Sequence, residues 1–207
     1  MKPLHFLIHV LKLAFISCLG AGLLACSTTA APPVQLFDMG QAPTIQTPQA
    51  ANGKIPAISL ADVSASPALD SNYMLYRLQY ENGQQLRSYA QNRWSMTPAQ
   101  LLAQRLKLRF AGAGGVIVSA TDGAANLPVL KLDLDDFSQL FASASSSVAH
   151  VSVRASVFKG RNLVAQQSFS QQADAAADAP GGARAMAAAS DALIDNIMLW
   201  LQGLPLN

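Results

Sequence analysis

The chain has 207 residues, of which 51% are hydrophobic and 13% charged, with 14 Lys and Arg against 12 Asp and Glu. That length suits one domain with a real core, and the near balance of charge, with no basic stripe beyond Arg105, Lys107 and Arg109, argues against a nucleic-acid surface. Three histidines and two cysteines leave little room for metal or thiol chemistry.

The first element reads as an export signal spanning residues 1–25. Lys2 supplies early positive charge, Leu13 to Leu24 form the apolar centre, and small Ala25 precedes the cut. Lys12 interrupts the hydrophobicity, so the apolar run is too short and badly flanked for a transmembrane helix. Leu23, Leu24, Ala25 and Cys26 match the box at which bacterial lipoproteins are cleaved and acylated, so Cys26 is the expected lipid attachment site. An ordinary secreted protein cut nearby, or an uncleaved anchor, is the alternative. Ser27 rather than Asp after the cysteine resembles lipoproteins sorted to the outer membrane. At about 0.8 kcal/mol per buried CH2, several acyl chains make attachment practically permanent.

Removing that signal takes away His5, His9 and Cys18. His150 is then the lone histidine and Cys26 the lone, lipid-occupied cysteine, so no intrachain disulfide and no His/Cys metal cluster is expected. Fourteen basic residues less Lys2 and Lys12 leave twelve against twelve acidic ones, and the formal net charge falls from +2 to about zero. Residues 26–33 read as a lipidated tether ending in two prolines. Residues 34–207 read as the domain.

Within the domain, Val34 to Phe37 and Ile58 to Val63 are short apolar segments separated by a Pro/Gln/Ala-rich loop, Gln41 to Pro56. Met74, Tyr76, Leu78 and Tyr80 alternate with Arg77 and Gln79 as a strand. Asn82-Gly83 then predicts a tight hairpin returning through Gln85 to Tyr89. Thr97-Pro98-Ala99-Gln100 predicts a capping box opening a helix that buries Leu102, Leu106 and Phe110 and stops at Gly112. Val116 to Val118 is a short strand, and a turn at Asp122-Gly123 leads to a strand carrying Leu130, Leu132 and Leu134 on one face. Phe137 is out of phase with those leucines, which predicts a bulge. Val151, Val153, Ala155 and Val157 mark the next strand, which turns at Gly160 into a partner carrying Leu163, Ala165 and Phe169. A low-complexity segment, Gln171 to Gly182, reads as a loop before a last helix with Met186, Ala189, Leu193, Ile197 and Trp200 on one face, ending near Gly203. The sum is an α+β fold, an antiparallel or mixed sheet with two helices packed on it in a single domain.

Candidate sites are few. Gly112-Ala113-Gly114-Gly115 could cradle a phosphate, but it follows a helix and precedes a strand, the reverse of a dinucleotide loop, and reads as a helix cap. Asp133, Asp135 and Asp136 form the one acidic cluster; without a Gly-bearing calcium loop they read as the solvent side of a strand. His150 lies in phase with Ser152 and Arg154 on a polar face, and a general-base role would need a nucleophile and an orienting acid that spacing alone does not place. Arg93-Trp94 precedes the capped helix as a core or interface pair, since exposed Trp is costly.

Tyr76-Arg77-Leu78, Tyr89-Ala90, Arg93-Trp94, Pro98, the Leu101-Leu102 and Leu106 helix, Leu132-Asp133-Leu134 reaching Phe137, the Val151/Val153 strand and the terminal Trp200-Leu201 together resemble the ABC-type transport auxiliary lipoproteins. These include the PqiC-like outer-membrane partners of MCE transport systems. The resemblance covers most of the mature chain except the Gln/Pro insertion after Met39. It implies a non-enzymatic, cofactor-free periplasmic subunit, anchored in the outer membrane, homo-oligomeric, and docking on an MCE protein in a lipid transport pathway. An outer-membrane assembly or envelope-structural lipoprotein is the runner-up, and a lipid-anchored hydrolase built around His150 the more distant rival.

Overall fold

A computed structural model describes residues 32–42, 55–123 and 126–206. The signal, Cys26, Ser27, most of the tether and most of the Gln41 to Pro56 loop lie outside the described residues. In chain order the elements are β1 (Gln35–Phe37), β2 (Ile58–Leu60), β3 (Ser64–Ala65), β4 (Tyr73–Leu78), a single helical turn α1 (Gln79–Asn82), β5 (Arg87–Trp94), α2 (Pro98–Gly112), β6 (Ile117–Ser119), β7 (Val129–Ser143), β8 (Ser146–Lys159), β9 (Asn162–Ala175) and α3 (Ala179–Gln202).

β7 organises the sheet because its two edges are used differently. One edge pairs antiparallel with β8 along nearly its whole length, and β8 pairs in turn with β9. The other edge is shared by three short strands that all run parallel to it. β2 lies beside Val129 and Leu130, β3 beside Asp133 and Leu134, and β4 beside Ser138 to Phe141. β5 then pairs antiparallel with β4, β1 pairs parallel with β5, and β6 lies parallel to β2. The result is a mixed sheet of nine strands among the described residues that branches at β7: β1 and β6 end the two arms on one of its edges, and β9 lies beyond β8 on the other.

Alternation along these strands decides which face is covered. Leu130, Leu132 and Leu134 are buried, and Phe137 resumes that face after the register shifts between Leu134 and Asp136, which is the expected bulge. Val151, Val153, Ala155 and Val157 of β8 join them, and α3 packs across β8 and β9 on this side. Leu102, Leu106 and Phe110 of α2, with Met186, Ala189, Leu193 and Ile197 of α3, complete one core. The described residues from Val34 onward form one compact unit, an α+β architecture with its two long helices together on one side of the sheet.

The helix ends follow local chemistry. Thr97 Oγ1 accepts from the Gln100 N–H at 3.4 Å and Gln100 Oε1 accepts from the Thr97 N–H at 3.1 Å, the reciprocal box expected of this sequence. At the other end of α2 the Gly115 N–H reaches the Phe110 carbonyl at 2.9 Å and Gly114 has φ of +75°, so the glycine run caps a helix. α3 opens on Asp178, whose Oδ1 accepts from the Gly181 N–H at 2.6 Å.

Four expectations are corrected. β4 stops at Leu78 rather than Tyr80, and Asn82-Gly83 is no two-residue turn: Gln79 to Asn82 form a helical turn with Gly83 in the right-handed region at φ −64°. Asn82 Oδ1 accepts from the Gln84 N–H at 3.0 Å, and Arg77 Nη1 donates to the Gln84 carbonyl at 3.3 Å, which supports this longer connection. The returning strand runs on to Trp94, well past Tyr89. Gln171 to Ala175 belong to β9, so the loop before α3 shrinks to Ala176 to Asp178. Leu163 lies on β9 as the sequence predicts, and it is exposed because the register shifts where Phe158 meets Leu163 and turns it off the core face.

Candidate functional site

The charged centre of the domain lies between the two long helices. Arg105 on α2 is only 3% exposed, and its guanidinium forms a fork on Asp191 of α3, Nε to Oδ1 and Nη2 to Oδ2 at 2.7 Å each. Its Nη1 donates to the Gly40 carbonyl at 2.9 Å, which ties the chain after β1 to the helix pair. One turn along, Arg109 pairs with Asp195 and lies 3.8 Å from Asp191. A groove of about 620 Å3 opens beside this cluster, with Phe37, Met39, Ala183 and Ala187 among its apolar walls and Arg105 and Asp191 on its floor. A usable sequence signal existed: Arg105 and Arg109 fall in phase with buried Leu102, Leu106 and Phe110, and a cation on a buried stripe requires a partner.

A second polar node joins α3 to the sheet. Gln139 Nε2 donates to Ser147 Oγ at 2.8 Å and to the Ala176 carbonyl at 2.9 Å, while the Tyr89 hydroxyl donates to Gln139 Oε1 at 2.9 Å. Burial, with Tyr76 and Asp178 nearby, pushes the Tyr89 phenol above its ordinary pKa and keeps it a donor. Gly182 lets the first turn of α3 come this close, since a Cβ there would stand 2.1 Å from Gln139 Oε1.

On the opposite, open face the topology brings together the groups that sequence could not place around His150. Its Nε2 lies 2.9 Å from Ser170 Oγ on β9, and its Nδ1 lies 3.6 Å from Asp136 Oδ2 on β7. Burial raises the Asp136 pKa, and the His150 ring, the Ser138 hydroxyl at 2.6 Å and Arg77 outweigh it, leaving the carboxyl below its ordinary value. The order acid, imidazole, hydroxyl is that of a hydrolase triad, but the geometry differs where it matters. At 3.6 Å the Asp136 carboxylate is beyond hydrogen-bond distance of His150 Nδ1, so it does not grip the ring as a triad acid does. Ser170 stands exposed on an edge strand whose backbone is paired into the β8 ladder. This arrangement makes a cross-strand polar ladder.

Asp133 of the acidic cluster is engaged by Lys131 at 3.6 Å and Arg154 at 3.7 Å. No group of three His, Cys, Asp or Glu able to hold a metal ion occurs among the described residues. Trp94 is 2% exposed and stacks edge-on against Phe137 with centroids 5.4 Å apart, whereas its neighbour Arg93 points the other way and lies over the Tyr73 ring at 4.5 Å. The pair is therefore divided between core and surface, as alternation on a strand requires.

A protein-family model described as ABC-type transport auxiliary lipoprotein component matches residues 37–198. Among solved structures, a Xanthomonas campestris protein of the DUF330 family has 17% identity and a TM-score of 0.64, covering 82% of this chain and 92% of its own. An uncharacterised protein of known structure has 13% identity and a TM-score of 0.62, covering 82% of this chain and 99% of its own. At these identities the likeness is one of fold. No curated protein matches the chain.

Proposed function

Because the chain belongs to the family of ABC-type transport auxiliary lipoprotein components, we propose that it is the outer-membrane-anchored periplasmic subunit of an MCE-type system moving lipids across the envelope. The observation that carries this reading is the match over residues 37–198, which takes in β2 to β9, α2 and all but the last turn of α3. The sequence adds the attachment point, Cys26 behind Leu23-Leu24-Ala25, and Ser27 as the outer-membrane sorting residue. Its role is to dock and position, with no side chain doing chemistry: mature residues include one histidine, and its Nδ1 makes no hydrogen bond to the nearby Asp136 at 3.6 Å.

Docking on a multimeric partner favours a homo-oligomer, because repeated weak contacts multiply when they engage together. The test is fractionation and affinity purification of the full-length protein from its own envelope. Acyl labelling that disappears in Cys26→Ala, a pellet with the outer membrane and recovery of an MCE protein are the expected results. A Cys26→Ala protein that still labels and pellets would remove the anchor. Recovery of a barrel-assembly component without an MCE protein would replace the transport reading.

A further inference from the structure

Exposed large apolar side chains gather at one corner of the open face. Leu36 on β1 stands opposite Arg93 on β5, and Arg93 stands opposite Tyr73 on β4, so the three form a single cross-strand row. Leu36 is 67% exposed and Tyr73 45%, and Val34, two residues before Leu36 and 53% exposed, extends the row toward the start of the domain. Arg93 is held in place by Nη1 bonds to the carbonyls of Tyr89 at 2.6 Å and Asn92 at 2.8 Å, and it is in none of the ion pairs of the described residues. An aliphatic pair, a ring with a polar tip and an unneutralised guanidinium are the groups that sit well at a bilayer boundary.

We propose that this corner docks on the phospholipid leaflet holding the acyl chains of Cys26, with Val34 and Leu36 entering the acyl boundary, Tyr73 at headgroup level and Arg93 facing lipid phosphate. The inference rests on the lipid-anchor reading above. Val34 lies eight residue steps after Cys26 in the sequence, a reach of at most about 28 Å at some 3.5 Å per step, so the leaflet is within range of the row. Two aliphatic side chains and one ring offer far less than the roughly 800 Å2 per partner that a stable protein interface buries. A tethered domain needs no such area, because the anchor holds the corner at high local lipid concentration and a weak contact suffices. With two points of attachment the domain has a fixed orientation, and β9, which lies beyond β8 on the other edge of β7 from β4, β5 and β1, is presented away from the corner that meets lipid.

The mature chain's only cysteine is the acylated Cys26, so a second one can be labelled alone. Tyr73→Cys and Leu163→Cys versions of the lipidated protein, each carrying an environment-sensitive dye, are reconstituted into phosphatidylethanolamine/phosphatidylglycerol vesicles and quenched with iodide. The expected result is flotation of both proteins and a several-fold smaller quenching at 73 than at 163, with the difference erased by Val34→Glu and Leu36→Glu together. Flotation with equal quenching at the two positions overturns the docking and leaves the anchor standing. Failure to float removes the anchor and the docking with it. Shielding at 73 that is already present without vesicles and grows with protein concentration assigns the corner to a second copy instead, and also overturns the proposal.

Discussion

The two sides of this domain hold the same kind of charge pair at different depths. Between α2 and α3, Arg105 and Asp191 meet in a two-bond fork that water scarcely reaches. On the open face Arg154 and Asp133 lie 3.7 Å apart with the arginine half exposed. Removing a charge from water costs several kcal/mol, which only good geometry and further hydrogen bonds offset, so the inner pair is costly to break while the outer one contributes little. Depth, more than the presence of an ion pair, decides what each does for the fold.

The largest effect should come from Arg105→Ala. It takes both fork bonds from Asp191, leaving it only the more distant Arg109 at 3.8 Å, and strands the Gly40 carbonyl, so a loss of about 3 kcal/mol in urea unfolding is expected. Replacing both partners, Arg105→Met with Asp191→Leu, should recover much of that loss because the charge left beside the site, Arg109, keeps Asp195 as its partner. If the double variant is no more stable than Arg105→Ala, the cost lies in packing and the depth argument fails. Next comes Gly182→Ala, which forces the Gln139 amide away from Ser147, Ala176 and Tyr89; about 2 kcal/mol is expected. Adding Gln139→Ala to Gly182→Ala should then cost less than the sum of the two single changes, since both disturb one node.

Asp136 stands between the two extremes, partly buried on the open face. Its folded pKa lies below the ordinary value, so its contribution is present above the usual carboxylate range and is lost as pH falls through the folded value. Asp136→Asn should therefore be less stable than the parent near neutral pH by under about 1 kcal/mol, allowing for solvent screening. The gap should close as unfolding is repeated at pH values below about 4. A gap that widens on acidification would mean the carboxyl is held protonated, contrary to the surroundings described.

The same contrast explains which features were legible in the sequence. Regular alternation marked β7, β8 and the buried faces of α2 and α3, because one side of each element meets a continuous apolar core and every residue reports its side. The capping box was legible from four residues, since it needs no tertiary partner. Asn82-Gly83 misled for the opposite reason: Arg77 and the Asn82 side chain stabilise a helical turn, and neither bond is visible in a dipeptide. Gly160, with φ of +61° between Lys159 and its partner Asn162, is the tight turn that Gly83 was expected to be. The Arg105 fork and the meeting of Asp136, His150 and Ser170 join residues far apart in the chain, so only strand order and helix placement could bring them together.

The smallest effect separates stability from contact. Arg154→Ala on the open face removes an exposed cation from Asp133, which keeps Lys131 within 3.6 Å, so unfolding should shift by no more than about 0.5 kcal/mol. A larger loss would mean that the open face is organised more tightly than its exposure implies, and the contrast between the two sides would weaken. With stability unchanged, the variant becomes a clean probe of the same face in the envelope. A protein that folds and fractionates normally but no longer supports the proposed transport would point to Arg154 as a contact to the proposed partner, whereas full function would leave that face to solvent and direct attention to the groove beside Arg105.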